Sequence, residues 1–273
     1  MLKVGKFGES GKEETGLPDS LLQELASLEP KHATAHDLKQ TRIEYERGLD
    51  YYRKRLDAIG FSGYSRILDA ACGWGQWTLA LAEKNDYVSS IDINPGGLEI
   101  SQAAIRIARL NNAQLCRGDL HFLPFKSASF DAVFCYGALM YTREDLVLTE
   151  VARILKPDGR FYICSNGPAW PLYKSLVMGV QQMNLRAFLS GLKIFFQTVV
   201  FNLLSGNFSD KLTFIRKRDL VQLLESNHLE CEYYGPEGSY GNLDGQAFQA
   251  LHGKTYFGLP VDFEALGRKD GRR

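Results

Sequence analysis

From residue 66 onward, short apolar runs alternate with segments patterned as helices, and this alternation constrains the fold of the 273-residue chain more than any other feature. Each run has the length of a buried strand, and each intervening segment carries apolar residues at helical spacing. Strands joined by single helices form a mainly parallel sheet with helices on both faces. The alternation predicts a doubly wound α/β fold, with strands at 66–71, 87–92, 113–119, 130–137 and 160–166.

The composition is that of a globular protein, with 45% hydrophobic and 23% charged residues. The 32 basic residues balance 32 acidic ones, so no net field steers the chain toward nucleic acid or anionic lipid. The five cysteines are scattered, and the N-terminus does not resemble a secretion signal. The longest apolar-rich stretch, 194–209, is interrupted by polar residues. We therefore expect a cytoplasmic protein without a transmembrane segment that does not bind nucleic acid.

Acidic residues and glycines collect where the predicted strands end, which is the ligand-binding edge of such sheets. Gly73 and Gly75 follow the first strand, where the absence of Cβ lets a turn adopt positive φ and a ligand approach the backbone. Asp69, Asp92 and Asp119 lie at three strand ends. Carboxylates accept hydrogen bonds from a ribose diol or an exocyclic amine, but they repel phosphate. The pattern favours a nucleoside that is cationic or free of phosphate.

Four motifs, in order, resemble the class I S-adenosylmethionine-dependent methyltransferases. They are "ILDAACGWG", "SIDIN", "RGDLHFLPFKSASFDAVFC" and "EVARILKPDGRFYI", all within residues 65–166. A further stretch, "FIRKRDLVQLLESNHLECEYYG" (214–235), is similar to the closing helix and strand of that family. The resemblance implies a seven-stranded, Rossmann-like sheet ending in an antiparallel pair. It also implies S-adenosyl-L-methionine as the cofactor.

Carried over position by position, the resemblance implies that Asp92 takes the ribose hydroxyls and Asp119 the adenine amine. Ala71 departs from the family, in which glycine is frequent at this place. Trp74 either shapes the pocket or packs under a neighbouring helix. The full set of implied cofactor-binding residues is Asp69, Ala71, Gly73, Trp74, Gly75, Asp92, Ile93, Asp119, Leu120 and Cys135.

The chain divides into four parts. Residues 1–64 are expected to form a flexible tail and helices on or over the cofactor site, and residues 65–166 the S-adenosylmethionine-binding core. Residues 167–213 are long for a simple connection and are expected to form a helical lid after the fifth strand. Residues 214–273 supply the closing helix, the antiparallel strand pair and the C-terminal tail.

The predicted lid contains one apolar helical face, formed by Leu185, Phe188, Leu189, Leu192, Phe196, Val199 and Leu203. We expect this face to cover a hydrophobic acceptor or one of mixed polarity. Packing on the domain and docking on a membrane are the alternatives. Only Arg186 and Lys193 supply positive charge to the polar face, fewer than membrane-surface helices usually carry.

The expected activity is methyl transfer, by in-line displacement, to an oxygen or nitrogen atom of a small-molecule acceptor. Positioning and exclusion of water can suffice for an amine, whereas a hydroxyl acceptor needs a general base. No residue stands out in the sequence as that base. The candidates for the acceptor side are Tyr136, Tyr141, Tyr173, Phe188 and Phe196.

Two other functions remain open. An NAD(P)-dependent oxidoreductase would have a third glycine where Thr78 stands. A non-catalytic module would bind S-adenosylmethionine without turnover. No metal site is expected, because His32 and His36 have no third ligand nearby in the sequence. Homo-oligomerisation is left open.

Overall fold

The computed structural model describes residues 31–204, 214–241 and 255–271. The strands, in chain order, are β1 Ile67–Ala70, β2 Val88–Asp92, β3 Ala113–Arg117, β4 Phe130–Tyr136, β5 Leu155–Asn166, β6 Leu229–Pro236, β7 Thr255–Tyr256, β8 Leu259–Pro260 and β9 Asp262–Lys269. The helices are α1 Ala35–Glu46, α2 Leu49–Ile59, α3 Gln76–Lys84, α4 Pro95–Ile107, α5 Glu144–Ile154, α6 Leu185–Leu204 and α7 Lys217–Ser226. A helical turn, Trp170–Leu172, continues into a π-helix, Tyr173–Gln181.

Seven strands form one sheet in the order β3-β2-β1-β4-β5-β9-β6. The five strands from β3 to β5 are parallel, whereas β9 runs antiparallel to both β5 and β6. The strand order reverses between β1 and β4, which is where ligands bind in doubly wound sheets. This topology confirms the predicted mainly parallel, seven-stranded sheet with its antiparallel pair.

The parallel register brings the predicted site residues to one edge. Ala70 of β1 is aligned with Ile91 of β2 and Cys135 of β4. The segments that follow these strands therefore emerge side by side. They carry the glycine turn, Asp92 and the end of β4, which are far apart in the sequence.

Both faces of the sheet are covered by apolar layers. Phe61, Trp77 and Phe134 belong to one layer, and Val133 and Leu148 to the other. Neighbouring residues of β4 face opposite layers because side chains alternate along a strand. Burial on both faces explains why the strands appear in the sequence as continuous apolar runs.

A buried ion pair fastens the N-terminal helices to the antiparallel part of the sheet. Arg55 of α2 pairs with Glu264 of β9, and their side chains are 1% and 0% exposed. The same carboxylate accepts hydrogen bonds from the Tyr162 hydroxyl over 3.1 Å and the Tyr240 amide over 2.7 Å. The Arg55 guanidinium also donates to the Tyr240 carbonyl over 2.9 Å. These bonds fix α2, the second of the two N-terminal helices, against β9.

Some boundaries differ from those predicted. β5 begins at Leu155 instead of at residue 160, because the preceding helix ends at Ile154 and the chain continues directly into the strand. In the part of the chain that the structure describes, no helix is long and apolar enough to cross a membrane. The predicted N-terminal tail and residues 205–213 of the predicted lid lie outside the described residues, as do the side chains of Val199 and Leu203.

Candidate active site

A cavity of about 690 Å³ lies at the edge where the parallel strands end. Its wall comes from the segments after β1 to β5, from α1 and from the start of β9. Seven of the ten residues expected to bind the cofactor line it: Ala71, Gly73, Trp74, Asp92, Ile93, Asp119 and Leu120. The other three, Asp69, Gly75 and Cys135, lie outside the lining.

The turn after β1 has left-handed backbone at three positions, with φ of 64° at Ala71, 53° at Gly73 and 90° at Gly75. A Cβ atom on Gly75 would lie 2.5 Å from Ser101 Oγ and 2.9 Å from its Cα, so the glycine also permits α4 to pack against the start of α3. Ala71 adopts this conformation with a Cβ atom, at a cost of roughly 1–2 kcal/mol. This backbone requirement accounts for the frequency of glycine at the corresponding place in the family.

Asp92 joins the glycine turn to the end of β2. Its Oδ2 accepts a hydrogen bond from the Gly73 amide and its Oδ1 one from the Asn94 amide, each over 2.8 Å. A carboxylate offers about four lone-pair sites. Two sites therefore remain on a carboxylate that these amides hold in a fixed orientation at the cavity wall. The side chain of the next residue, Ile93, also lines the cavity and is 63% exposed.

Asp119 is held by the histidine two residues later. Its Oδ1 accepts from the His121 amide over 3.0 Å and lies 2.6 Å from His121 Nδ1. The His121 Nε2 accepts a hydrogen bond from the Arg143 amide over 2.9 Å, so Nδ1 carries the proton and donates to Asp119. Asp119 therefore stands at the wall with a defined orientation, next to Leu120.

Asp69 is buried in β1 and binds the first turn of α3. Its Oδ2 accepts from the Thr78 hydroxyl over 2.6 Å, and that hydroxyl lies 3.1 Å from Ser90 Oγ. Burial raises the pKa of Asp69 to about 7, although the bond from Thr78 lowers it and nearby Asp92 adds to the rise. The contact fixes the start of α3 relative to β1.

This raised pKa gives a testable dependence of stability on pH. Between the ordinary carboxyl pKa of 3.8 and about 7, the folded protein holds a proton on Asp69 that the unfolded chain has released. Since the unfolded state then binds fewer protons, this group makes stability fall as pH rises through that window. We expect the wild type to lose on the order of 2–3 kcal/mol more than Asp69→Asn between pH 5 and pH 8. Urea unfolding at both pH values measures this, and equal losses would contradict the assignment.

Trp74 fastens α1 to the glycine turn. Its indole Nε1 donates to Asp37 Oδ1 over 3.3 Å. The side-chain amide of Asn94 donates to the same oxygen over 2.9 Å. The Trp74 carbonyl accepts a hydrogen bond from the Tyr45 hydroxyl over 3.0 Å. The sequence left two positions open for Trp74, in the pocket wall or under a neighbouring helix. The side chain occupies both, since it lines the cavity and packs under α1.

Three cavity residues of α1 were not predicted. His36, Gln40 and Glu44 follow one another at intervals of four, so they share one face of the helix, and all three line the cavity. The spacing was visible in the sequence, but it becomes informative only when the position of α1 over the sheet edge is known. The Glu44 carboxylate is held by the Tyr52 hydroxyl over 2.8 Å.

Two predicted acceptor-side tyrosines, Tyr136 and Tyr141, also line the cavity. Tyr136 ends β4 and donates its hydroxyl to the buried Glu237 carboxylate. Burial, with the adjacent Glu237, raises the pKa of Tyr136 well above its usual value, so it remains a neutral phenol. Tyr141 is largely exposed, but partial burial raises its pKa as well, with a contribution from Asp262.

Asp262, a carboxylate that no motif in the sequence marks, lies on the β9 side of the cavity, near Tyr141. It begins β9, is paired in register with Asn166 at the end of β5, and is only 6% exposed, yet it lines the cavity. With the Asn166 amide oriented to satisfy both neighbours, its nitrogen donates to Asp262 Oδ1 and its oxygen accepts from Trp170 Nε1, each over 3.2 Å. Asp262, Asn166 and Trp170 thus form a polar group opposite the Asp92 end.

The remaining acceptor-side candidates do not line the cavity. Tyr173 packs against Trp170 and Tyr256, with ring centroids 6.1 and 5.9 Å apart. Phe188 lies against Gly179 of the π-helix, and Phe196 is 59% exposed. None of these three side chains is part of the cavity wall.

Residues 67–159 match the family model of a methyltransferase domain. The match covers about a third of the chain and identifies a methyltransferase domain within it. The demethylmenaquinone methyltransferase of Lactococcus lactis subsp. lactis is 37% identical over 145 residues, which cover 51% of this chain and 57% of that protein. This chain therefore spans less than two thirds of the length of that curated relative.

Solved structures share the fold across most of the chain. A SAM-dependent methyltransferase from Methanosarcina mazei has a TM-score of 0.53 and 21% identity, and the match covers 77% of this chain and 93% of that one. A geranyl diphosphate C-methyltransferase from Streptomyces coelicolor has a TM-score of 0.56 and 15% identity, with 89% and 87% covered. At these identities the likeness concerns the fold.

Proposed function

We propose that the protein is an S-adenosylmethionine-dependent methyltransferase acting on a small molecule. The observation that carries the proposal is the bond from the Gly73 amide to Asp92, since both residues line one cavity and the resemblance assigns them to the cofactor turn and the ribose. When bound, S-adenosylmethionine supplies an electrophilic methyl group on a sulfonium centre.

The residues present fit that cofactor. Asp92 keeps lone pairs for two hydroxyl donors, and Asp119 faces the cavity as an acceptor for an amine. The exposed Ile93 and the buried Leu120 offer apolar contacts to a base between them. The Asp92 and Asp119 carboxylates at the cavity wall disfavour the pyrophosphate of a dinucleotide, and Thr78, which binds Asp69, occupies the place of a third glycine.

Asp262 is our candidate for the general base. It lies at the opposite end of the cavity from Asp92, and Asn166 holds it in place. It would take a proton from an acceptor hydroxyl or from a protonated amine, leaving an electron pair for the bond to the incoming methyl group. A phenol deprotonated in this way is activated at its oxygen and also at the adjacent ring carbon.

The acceptor class follows from the wall around Asp262. Met140, Tyr141 and Trp170 are large apolar or aromatic residues there, while Ser165 and Asn166 add polar groups. We infer an acceptor with a hydrophobic ring and an ionisable hydroxyl or amine. The similarity to a demethylmenaquinone methyltransferase supports a hydrophobic acceptor.

Transfer of a labelled methyl group tests the proposal. The protein is incubated with S-adenosylmethionine labelled in its methyl group, together with a lipid extract and a small-molecule extract of cells. We expect label in an organic-soluble product and stoichiometric S-adenosylhomocysteine. Cofactor binding without transfer to either extract would favour the non-catalytic module instead.

The proposed setting is the cytoplasm. All five cysteines are free, and Cys72, Cys135 and Cys164 are buried. Free buried thiols fit a reducing compartment. Burial raises the pKa of all three thiols, so they stay protonated at neutral pH.

A further inference from the structure

The predicted lid presents a large apolar surface to the solvent. Fifteen large hydrophobic side chains are exposed among the described residues, and eight of them fall between residues 176 and 196. Single exposed apolar residues are ordinary, whereas a cluster marks a contact surface. We call these eight the outer face: Leu176, Val180, Met183, Leu185, Leu189, Leu192, Phe195 and Phe196.

α6 packs on the protein through a different side. Ala187, Gly191, Ile194 and Thr198 are buried and repeat at helical spacing. A Cβ atom on Gly191 would lie 2.7 Å from the Pro171 carbonyl oxygen, so this narrow face sits directly on the preceding helical segment. Successive residues of a helix are rotated by about 100°, so Leu185, Leu189 and Leu192 lie on the side of α6 opposite to these buried residues. We call these three the leucine row. The outer face therefore points away from the domain.

The segment that carries the outer face has charge of one sign. The sequence from 159 to 209 contains no Asp or Glu, although the whole chain has 32. Arg186 and Lys193 are exposed on α6, roughly a quarter turn from the centre of the leucine row. Two cations are fewer than membrane-surface helices usually carry, but both lie at the border of an exposed apolar stripe, which is the position that cations take on helices in a membrane interface.

We propose that the outer face docks on the surface of an anionic lipid bilayer. The apolar side chains would enter the boundary between headgroups and acyl chains, while Arg186 and Lys193 meet the phosphates. A two-fold contact with a second copy fits less well, because it would oppose the same cations without a carboxylate from this segment to neutralise them. The proposal rests on this surface alone and does not require methyl transfer.

Co-sedimentation with vesicles tests it. The full chain is mixed with vesicles of equal parts phosphatidylglycerol and phosphatidylcholine, or of phosphatidylcholine alone. We expect pelleting with the anionic vesicles that weakens with salt. Leu189→Ser with Leu192→Ser should weaken partitioning about a hundredfold. Arg186→Gln with Lys193→Gln should weaken it about fivefold per charge removed.

The matched control is Leu38→Ser with Ile43→Ser, two exposed residues of α1, which should pellet like the wild type.

Absence of binding by the wild type would overturn the proposal, and so would equal binding by the outer-face variants and the control. Size-exclusion chromatography of the same proteins tests the alternative, in which a second copy of the chain covers this face. A dimer that dissociates in the leucine variant would show that a second copy covers this face. Circular dichroism checks folding, and if the leucine variant does not fold, the exposed charge variant decides between the outcomes.

Discussion

Replacing Asp92 by alanine is expected to lower the affinity for S-adenosylmethionine about 10²–10⁴-fold in a protein that remains folded. Hydrogen bonds to a charged acceptor contribute about 1.5–3 kcal/mol each, and a ribose diol would make two. The change also removes the acceptor for the Gly73 amide, which holds the turn. Calorimetric titration measures the affinity.

Asp86→Ala is the matched control, since Asp86 is exposed near the opposite end of β2. It should bind the cofactor like the wild type. Unchanged affinity in a folded Asp92→Ala variant would remove Asp92 from the cofactor site.

The second large effect concerns Asp262. With the acceptor found by label transfer, Asp262→Asn is expected to lower kcat about 10²–10⁴-fold, the usual contribution of a general base. Cofactor affinity should stay within about twofold, because Asp262 lies at the other end of the cavity and asparagine keeps an oxygen for the Asn166 amide. Steady-state kinetics across pH measure the effect.

Asp57→Asn, a change at an exposed carboxylate of α2, controls for the loss of one negative charge. If Asp262→Asn raises KM alone and leaves kcat and its pH profile intact, the carboxylate positions the acceptor without taking its proton.

The cofactor side of the cavity was predictable because its residues follow strand ends. A buried parallel strand is visible as an apolar run, and its last residue points to the ligand edge whatever the details of packing. Asp92 and Asp119 were identified this way, and both line the cavity. The conformation of Ala71 was not predictable in this way, because its φ of 64° follows from the turn and not from its residue type.

The acceptor side was less predictable because distant segments build it. Asp262 reaches the cavity through antiparallel pairing with Asn166, almost a hundred residues earlier in the chain. No local pattern marks such a partner. His36 on α1 likewise depends on where that helix is fastened, which Trp74 and Asp37 decide.

The amphipathic pattern of α6 identified an apolar face but not its direction. Periodicity reports which side of a helix is apolar, and burial is the usual consequence. Here the small residues Ala187 and Gly191 allow close packing on the preceding segment, and the leucine row is exposed instead. Covering of the acceptor by Phe188 and Phe196 stays a prediction without contacts at the cavity.

The most direct test of the central claim is calorimetric titration of the wild-type protein with S-adenosylmethionine, S-adenosylhomocysteine and NAD in turn. The cavity at the sheet edge predicts one site per chain for each of the first two ligands and no heat of binding for NAD. Saturable binding of NAD, with no binding of S-adenosylmethionine, would contradict the assignment of the glycine turn, Asp92 and Asp119 to a methyltransferase cofactor site.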